Sequence, residues 1–130
     1  MKCVRYPVPL SHSPVTFDDM VFVNGHLFAG TENEQPYRIL KVATDLSYID
    51  VVQLSGCYGV FSVRDEIWAT NISTSGVIAR YDLDLNPTDN VLLPSEFNDP
   101  NELVIVNDNV YVTTWQSPAG ILNYQIKTVP

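Results

Sequence analysis

The stretch "VNGHLFAGT", Val23 to Thr31, returns twice: as "VRDEIWATN", Val63 to Asn71, and as "VNDNVYVTT", Val106 to Thr114. Each copy is a valine, a two-residue polar turn, then alternating apolar and aromatic residues. The copies lie 40 and 43 residues apart. A second column keeps step with them: "ILKV" at Ile39, "IARY" at Ile78 and "ILNY" at Ile121. Two columns in register mark an internal repeat, and that repeat decides the architecture.

Each unit reads as antiparallel strands. The first strand is Asp19–Val23, Gly59–Val63 or Glu102–Val106, a continuous apolar run of the kind found in strands buried on both faces. Asn24-Gly25 is a strong hairpin signal, because a type I′ turn needs positive φ at both central residues. Arg64-Asp65 and Asn107-Asp108 occupy the same place with weaker turn chemistry. The second strand carries an aromatic, Phe28, Trp68 or Tyr111. Third strands follow at Arg38–Ala43, Val77–Leu83 and Gly120–Lys127, and fourth strands at Ile49–Leu54 and Asn90–Leu93. Helical periodicity nowhere persists beyond a turn, so the chain is all-β.

Four antiparallel strands every ~40–45 residues match a β-propeller blade. A β-sandwich or an open meander accounts less well for the constant period. The units run over about 17–55, 56–97 and 98–130 of a single domain, 1–130. The third is one strand short, and the extended stretch at residues 2–8 is a candidate to complete it. Pro7 suits an outermost strand. Three blades do not close a ring, since propellers have typically 4–8. The economical closure is a homodimer forming a six-bladed propeller, residues 2–8 of one chain completing the last blade of the other. The alternative is two copies closing with some other partner chain.

Composition bounds the partners. The 130 residues carry 15 acidic and 7 basic side chains, a net charge of −8, with 45% hydrophobic content. Nucleic acid and anionic membranes both reward clustered Lys and Arg, so neither is expected. Cys3, Cys57, His12 and His26 are too scattered for a zinc site. Two unframed thiols read as free cysteines of a reducing compartment. The N-terminal stretch has no apolar h-region and no run reaches membrane-spanning length, so a cytoplasmic protein is expected. His26, beside the Asn24-Gly25 turn, reads as a solvated hairpin residue.

The segments entering each first strand are "FDDMVFVNG" (Phe17–Gly25), "CYGVFSV" (Cys57–Val63) and "LLPSEFNDPNELV" (Leu92–Val104). This succession resembles the first half of the paraoxonase group, within the six-bladed SMP-30 and gluconolactonase-like proteins. It covers roughly residues 17 to 115. The resemblance implies a calcium-holding channel and hydrolysis of lactones, aryl esters or organophosphates. It places Asp18 and Asp19 at the acidic calcium-binding pair and Asn101 at a calcium-binding Asn, with Glu102 where the group has Asp. Oxygen donors of this kind suit Ca²⁺. Tyr58 stands where the paraoxonases have a histidine, and a phenol of pKa ~10 is a poor general base at neutral pH.

Plain alternatives stand beside these assignments. Asp18-Asp19 also suits a loop satisfying its own backbone, and Asn101-Glu102 a strand-capping turn after Asp99-Pro100. Trp115 and Tyr58, near the blade ends, serve either a pocket or ordinary packing. The expectation is a dimeric β-propeller binding module that holds a small ligand, an ion or a partner at its channel through Asp18, Asp19, Tyr58, Asn101, Glu102 and Trp115. The alternative is a calcium-dependent lactonase or arylesterase-type hydrolase, its metal held by Asp18, Asp19 and Asn101. A purely structural subunit is a third reading.

Overall fold

The computed structural model describes Cys3 and residues 17–31, 37–54, 59–70, 76–95, 97, 99–114 and 120–126; for Asp18, Tyr37 and Leu54 it describes the backbone. Within them lie eleven strands and no helix: β1 (Phe17–Val23), β2 (His26–Thr31), β3 (Tyr37–Ala43), β4 (Tyr48–Leu54), β5 (Gly59–Val63), β6 (Glu66–Thr70), β7 (Val77–Tyr81), β8 (Val91–Leu92), β9 (Pro100–Val106), β10 (Asn109–Thr114) and β11 (Gly120–Gln125). No helix in this set is long and apolar enough to cross a membrane. Every neighbouring pair is antiparallel, and the strands form three meanders. Sheet I is β1-β2-β3-β4, sheet II is β5-β6-β7-β8, and sheet III is β9-β10-β11.

The hairpin turns follow the local chemistry. Asn24 (φ 50°) and Gly25 (φ 80°) are both left-handed, as a type I′ turn requires. Arg64 (φ 55°) and Asn107 (φ 56°) begin the corresponding turns of sheets II and III. Arg64 bears the steric cost of this conformation with no help from its side chain. Its guanidinium also forms an ion pair with Asp108, linking the two turns. β7 stops at Tyr81 instead of Leu83, because Asp82 closes a tight turn: its N–H donates to Asn86 O at 2.9 Å and its carboxylate accepts the Asn86 N–H at 2.9 Å.

The sheets stack in chain order with sheet II in the middle, β5 lying beside both β1 and β9. One core joins sheets I and II, around Phe28, Ile39, Val60, Ile67, Ala69, Tyr81 and Leu85. The other joins sheets II and III, around Val63, Trp68, Ile78, Val91, Val110 and Val112. Strand alternation divides sheet II cleanly: Ile67 and Ala69 face sheet I, while Trp68 between them faces sheet III. Burial of side chains on this scale is the main force holding the sheets together.

Two cross-strand cation–aromatic pairs recur within the stack. The Lys41 ammonium lies 5.7 Å from the Phe28 ring centre, and the Arg80 guanidinium 4.9 Å from that of Trp68. Lys41 also donates to Leu83 O at 2.7 Å, tying sheet I to the β7–β8 turn. Arg80 pairs with Glu66 at 2.6 Å.

The apolar first strands suggest burial on both faces, and only the middle sheet realises it. Met20 and Phe22 on β1 are 58% and 62% exposed, and Val104 and Val106 on β9 are 59% and 51% exposed. The reason is position: among the described residues, sheets I and III each have a neighbouring sheet on one side only, although Leu40 and Val42 on the outer face of sheet I are themselves buried.

Candidate binding site at the first-strand ends

β1, β5 and β9 begin at the same end of the stack, and two of these beginnings are irregular. The β1–β2 register shifts between Phe17 and Asp19, with Asp18 as the extra residue. The β9–β10 register shifts at the corresponding place, where Thr114 pairs with Pro100 and Val112 with Leu103. Asn101 and Glu102 lie inside that shift. Asp99, just before it, has φ 53°. Bulges re-aim side chains at strand ends, so both candidate clusters sit on backbone that departs from regular pleating.

Asp19 reaches across to the neighbouring sheet. Its Oδ2 accepts the Val60 N–H at 3.0 Å and its Oδ1 accepts the Met20 N–H at 2.9 Å. A carboxylate has about four lone-pair positions, so two amide donors leave capacity for a further one. Gly59 leaves room for the Phe61 ring, which a Cβ there would meet at 2.7 Å, while Asp19 Oδ2 would lie at an ordinary contact distance of 3.4 Å.

Asn101 lies on the other side of β5. Its backbone carbonyl accepts the Thr70 hydroxyl at 3.1 Å, and the same Thr70 oxygen accepts the Gly59 N–H at 3.0 Å. Thr70 therefore joins sheet II to sheet III as Asp19 joins sheet I to sheet II. The Asn101 side-chain Oδ1 is buried without a hydrogen-bond partner. An orphaned amide oxygen costs about 1–3 kcal/mol, which a donor or a hard cation would offset.

The structure thus brings Asp19 and Asn101 to opposite sides of the β5 start. Glu102 is exposed, its N–H donating to Thr113 Oγ1 at 3.1 Å. Asp18 joins the bulge by its backbone. Tyr58 and Trp115 lie outside the described residues, as do His12, Cys57 and residues 4–8. Among the described residues no three His, Cys, Asp or Glu side chains gather as a metal-holding group. His26 is half-buried, its Nδ1 3.1 Å from Asn24 O, in the hairpin at the far end of β1. Sequence reasoning missed Thr70 and Gly59 as parts of this end. Thr70 carried a signal, since threonine closes the second strand in every repeat copy.

No known family profile matches this chain, and no curated protein does. Among solved structures it is similar to the crystal structure of the computationally designed Ika4 protein. The TM-score is 0.49 at 9% identity, over 92% of this chain and 96% of that one. The class defined by the coordinates is an all-β stack of three antiparallel meanders.

Proposed function

We propose that this chain is half of a six-bladed β-propeller, completed by a second copy, and that it works as a binding module for a small ligand or ion at the first-strand ends. The observation that carries the binding role is the buried, unpartnered Oδ1 of Asn101, placed across β5 from the Asp19 carboxylate. Oxygen donors on two bulged strands are the right chemistry for a cation such as Ca²⁺ or for a ligand with N–H and O–H groups. The resemblance of these strand-entry motifs to the paraoxonase and SMP-30-like group supports the same position. Among the described residues sheet III has three strands where I and II have four, and the fourth would be supplied by residues 2–8 of the partner.

Calorimetric titration with Ca²⁺, using the intact protein and Asn101→Leu, tests this reading. Binding by the intact protein and at least a tenfold loss in the variant is the expected outcome. Lanthanum and a panel of small polar metabolites extend the test to other occupants. If the intact protein binds nothing in that panel, the binding role is wrong. Calcium-dependent ester or lactone turnover, lost in Asn101→Leu, would make the module a hydrolase.

A further inference from the structure

The rows of paired residues define which positions of the three sheets correspond. In sheet I, one row is Met20–Ala29–Leu40 and the next is Phe22–Leu27–Val42. In sheet II the same rows are Val60–Ala69–Ala79 and Ser62–Ile67–Tyr81. The β3–β4 and β7–β8 turns also correspond, bond for bond. Ala43 N–H donates to Ser47 O at 3.0 Å and Leu46 N–H to Ala43 O at 2.8 Å; Asp82 N–H donates to Asn86 O at 2.9 Å and Leu85 N–H to Asp82 O at 3.0 Å. Leu46 (φ 69°) and Leu85 (φ 61°) are the left-handed residues of the two turns.

On sheet II the positions Val60, Ile67, Ala69, Ala79, Tyr81 and Leu85 all belong to the core that packs with Phe28 of sheet I. Their counterparts on sheet I are Met20, Leu27, Ala29, Leu40, Val42 and Leu46. All six line an open groove of about 320 Å³ on the outer face of sheet I. Leu40 and Val42, 0% and 6% exposed, form its floor, and among the described residues no sheet makes here the contact that the stack makes twice.

The opposite face of the repeat tells the same story. Phe28, Trp68 and Tyr111 hold one position, in the rows Val21–Phe28–Lys41, Phe61–Trp68–Arg80 and Val104–Tyr111–Asn123. Phe28 and Trp68 are each 1% exposed, against 36% for Tyr111. Ile39 and Ile78 are fully buried, and their counterpart Ile121 is 74% exposed. Trp68 shows what such an aromatic does: its ring meets Tyr124 of sheet III edge-on at 5.9 Å between centres. Tyr124 corresponds to Tyr81 on sheet II and to Val42 in the groove.

We infer that the groove on sheet I receives Tyr111 of a second copy. Sheet III of each chain then makes with sheet I of the other the contact already made by I with II and by II with III. The inference rests on the two-copy reading above and specifies its interface. Knob and seat lie at opposite ends of one stack, so each contact is heterologous. Two copies close the ring with two identical contacts and six sheets. Three would require nine, beyond the usual 4–8.

Light scattering on mixed variants tests it. The intact protein is expected at twice its 14.6 kDa chain mass. Tyr111→Glu and Met20→Arg, both at exposed positions, are each expected to run as monomers with unchanged far-UV circular dichroism. Mixed in equal amounts, they should return to a dimer, because one contact is then wild type on both sides and the other pairs Glu with Arg. Ile121→Lys repeats the first variant at the most exposed position of that face. A dimer that survives both Tyr111→Glu and Ile121→Lys overturns this interface and leaves the two-copy reading intact. Failure of the mixture to reassociate overturns the heterologous pairing. Mass that climbs with concentration overturns closure, and an intact protein that is monomeric overturns the dimer itself.

Discussion

Asp19 shows how much one residue does at the end of this stack. It lies on a bulged strand and fastens sheet I to the Val60 amide of sheet II, whose residue is fully buried. Removing the acceptor strands that amide, at a cost of about 1–3 kcal/mol. Asp19→Ala is therefore expected to lower stability by that amount in urea denaturation. Asp19→Asn, which keeps a carbonyl oxygen, should lose less than half as much. Equal losses would mean that the carboxylate acts by charge and not as an acceptor. "FDDM" was legible as a functional or turn-forming acidic pair. Its contact across 41 residues was not, because hydrogen bonds between sheets leave no periodic trace in a sequence.

The strands and turns carry most of what the sequence showed. Asn24-Gly25, the three aromatics and the repeated "I-x-x-V/Y" column place eleven strands to within a few residues, because hairpin pairing is local and its turn chemistry is explicit. The short end of β7 was less legible, since Leu83 and Leu85 continue the apolar pattern into a turn. That turn offers a test at its own scale. The Asp82 carboxyl is held below the usual aspartate value of 3.8, first by the Asn86 backbone N–H, then by the Asn86 side chain and the Asp84 N–H, with burial opposing. A depressed folded-state pKa means that the contribution is complete above the unfolded value and is lost as pH falls through the folded one. Protection of the Asp84 and Asn86 amides, relative to their intrinsic exchange, should therefore fall below about pH 3.8, ahead of the β-strands. Asp82→Ala should show the lower protection already at neutral pH. Protection at those amides that is indifferent to acid would refute the assignment.

The described residues form a stack of three sheets, with the Met20 groove on sheet I at one end and Tyr111 on sheet III at the other. Sheet II is buried on both faces, while the outer faces of I and III keep Met20, Phe22, Val104, Val106 and Ile121 in water. Contiguous apolar faces of this kind are interaction surfaces or aggregation hazards. If a second copy covers them, folding and association are linked, and stability depends on protein concentration. The melting temperature of the intact protein is expected to rise by several degrees over a hundredfold increase in concentration. Tyr111→Glu should melt lower and at one temperature throughout. A concentration-independent melt of the intact protein would show a stack that is stable alone.

By itself the sequence determined the repeat, the strand order within each unit and the all-β class. Those rest on local pairing, on turn residues and on side-chain alternation within some forty residues. Tertiary structure alone decided which face of each strand is covered. "MVFV" at Met20–Val23, "VFSV" at Val60–Val63 and "LVIV" at Leu103–Val106 are nearly interchangeable as text, yet only the second is enclosed on both sides. Burial depends on the neighbouring sheet, and the neighbour is chosen by packing between distant segments. The same holds for Asn101: its backbone carbonyl meets the Thr70 hydroxyl of sheet II and its amide oxygen is buried without a partner, and no residue near it in the chain encodes either.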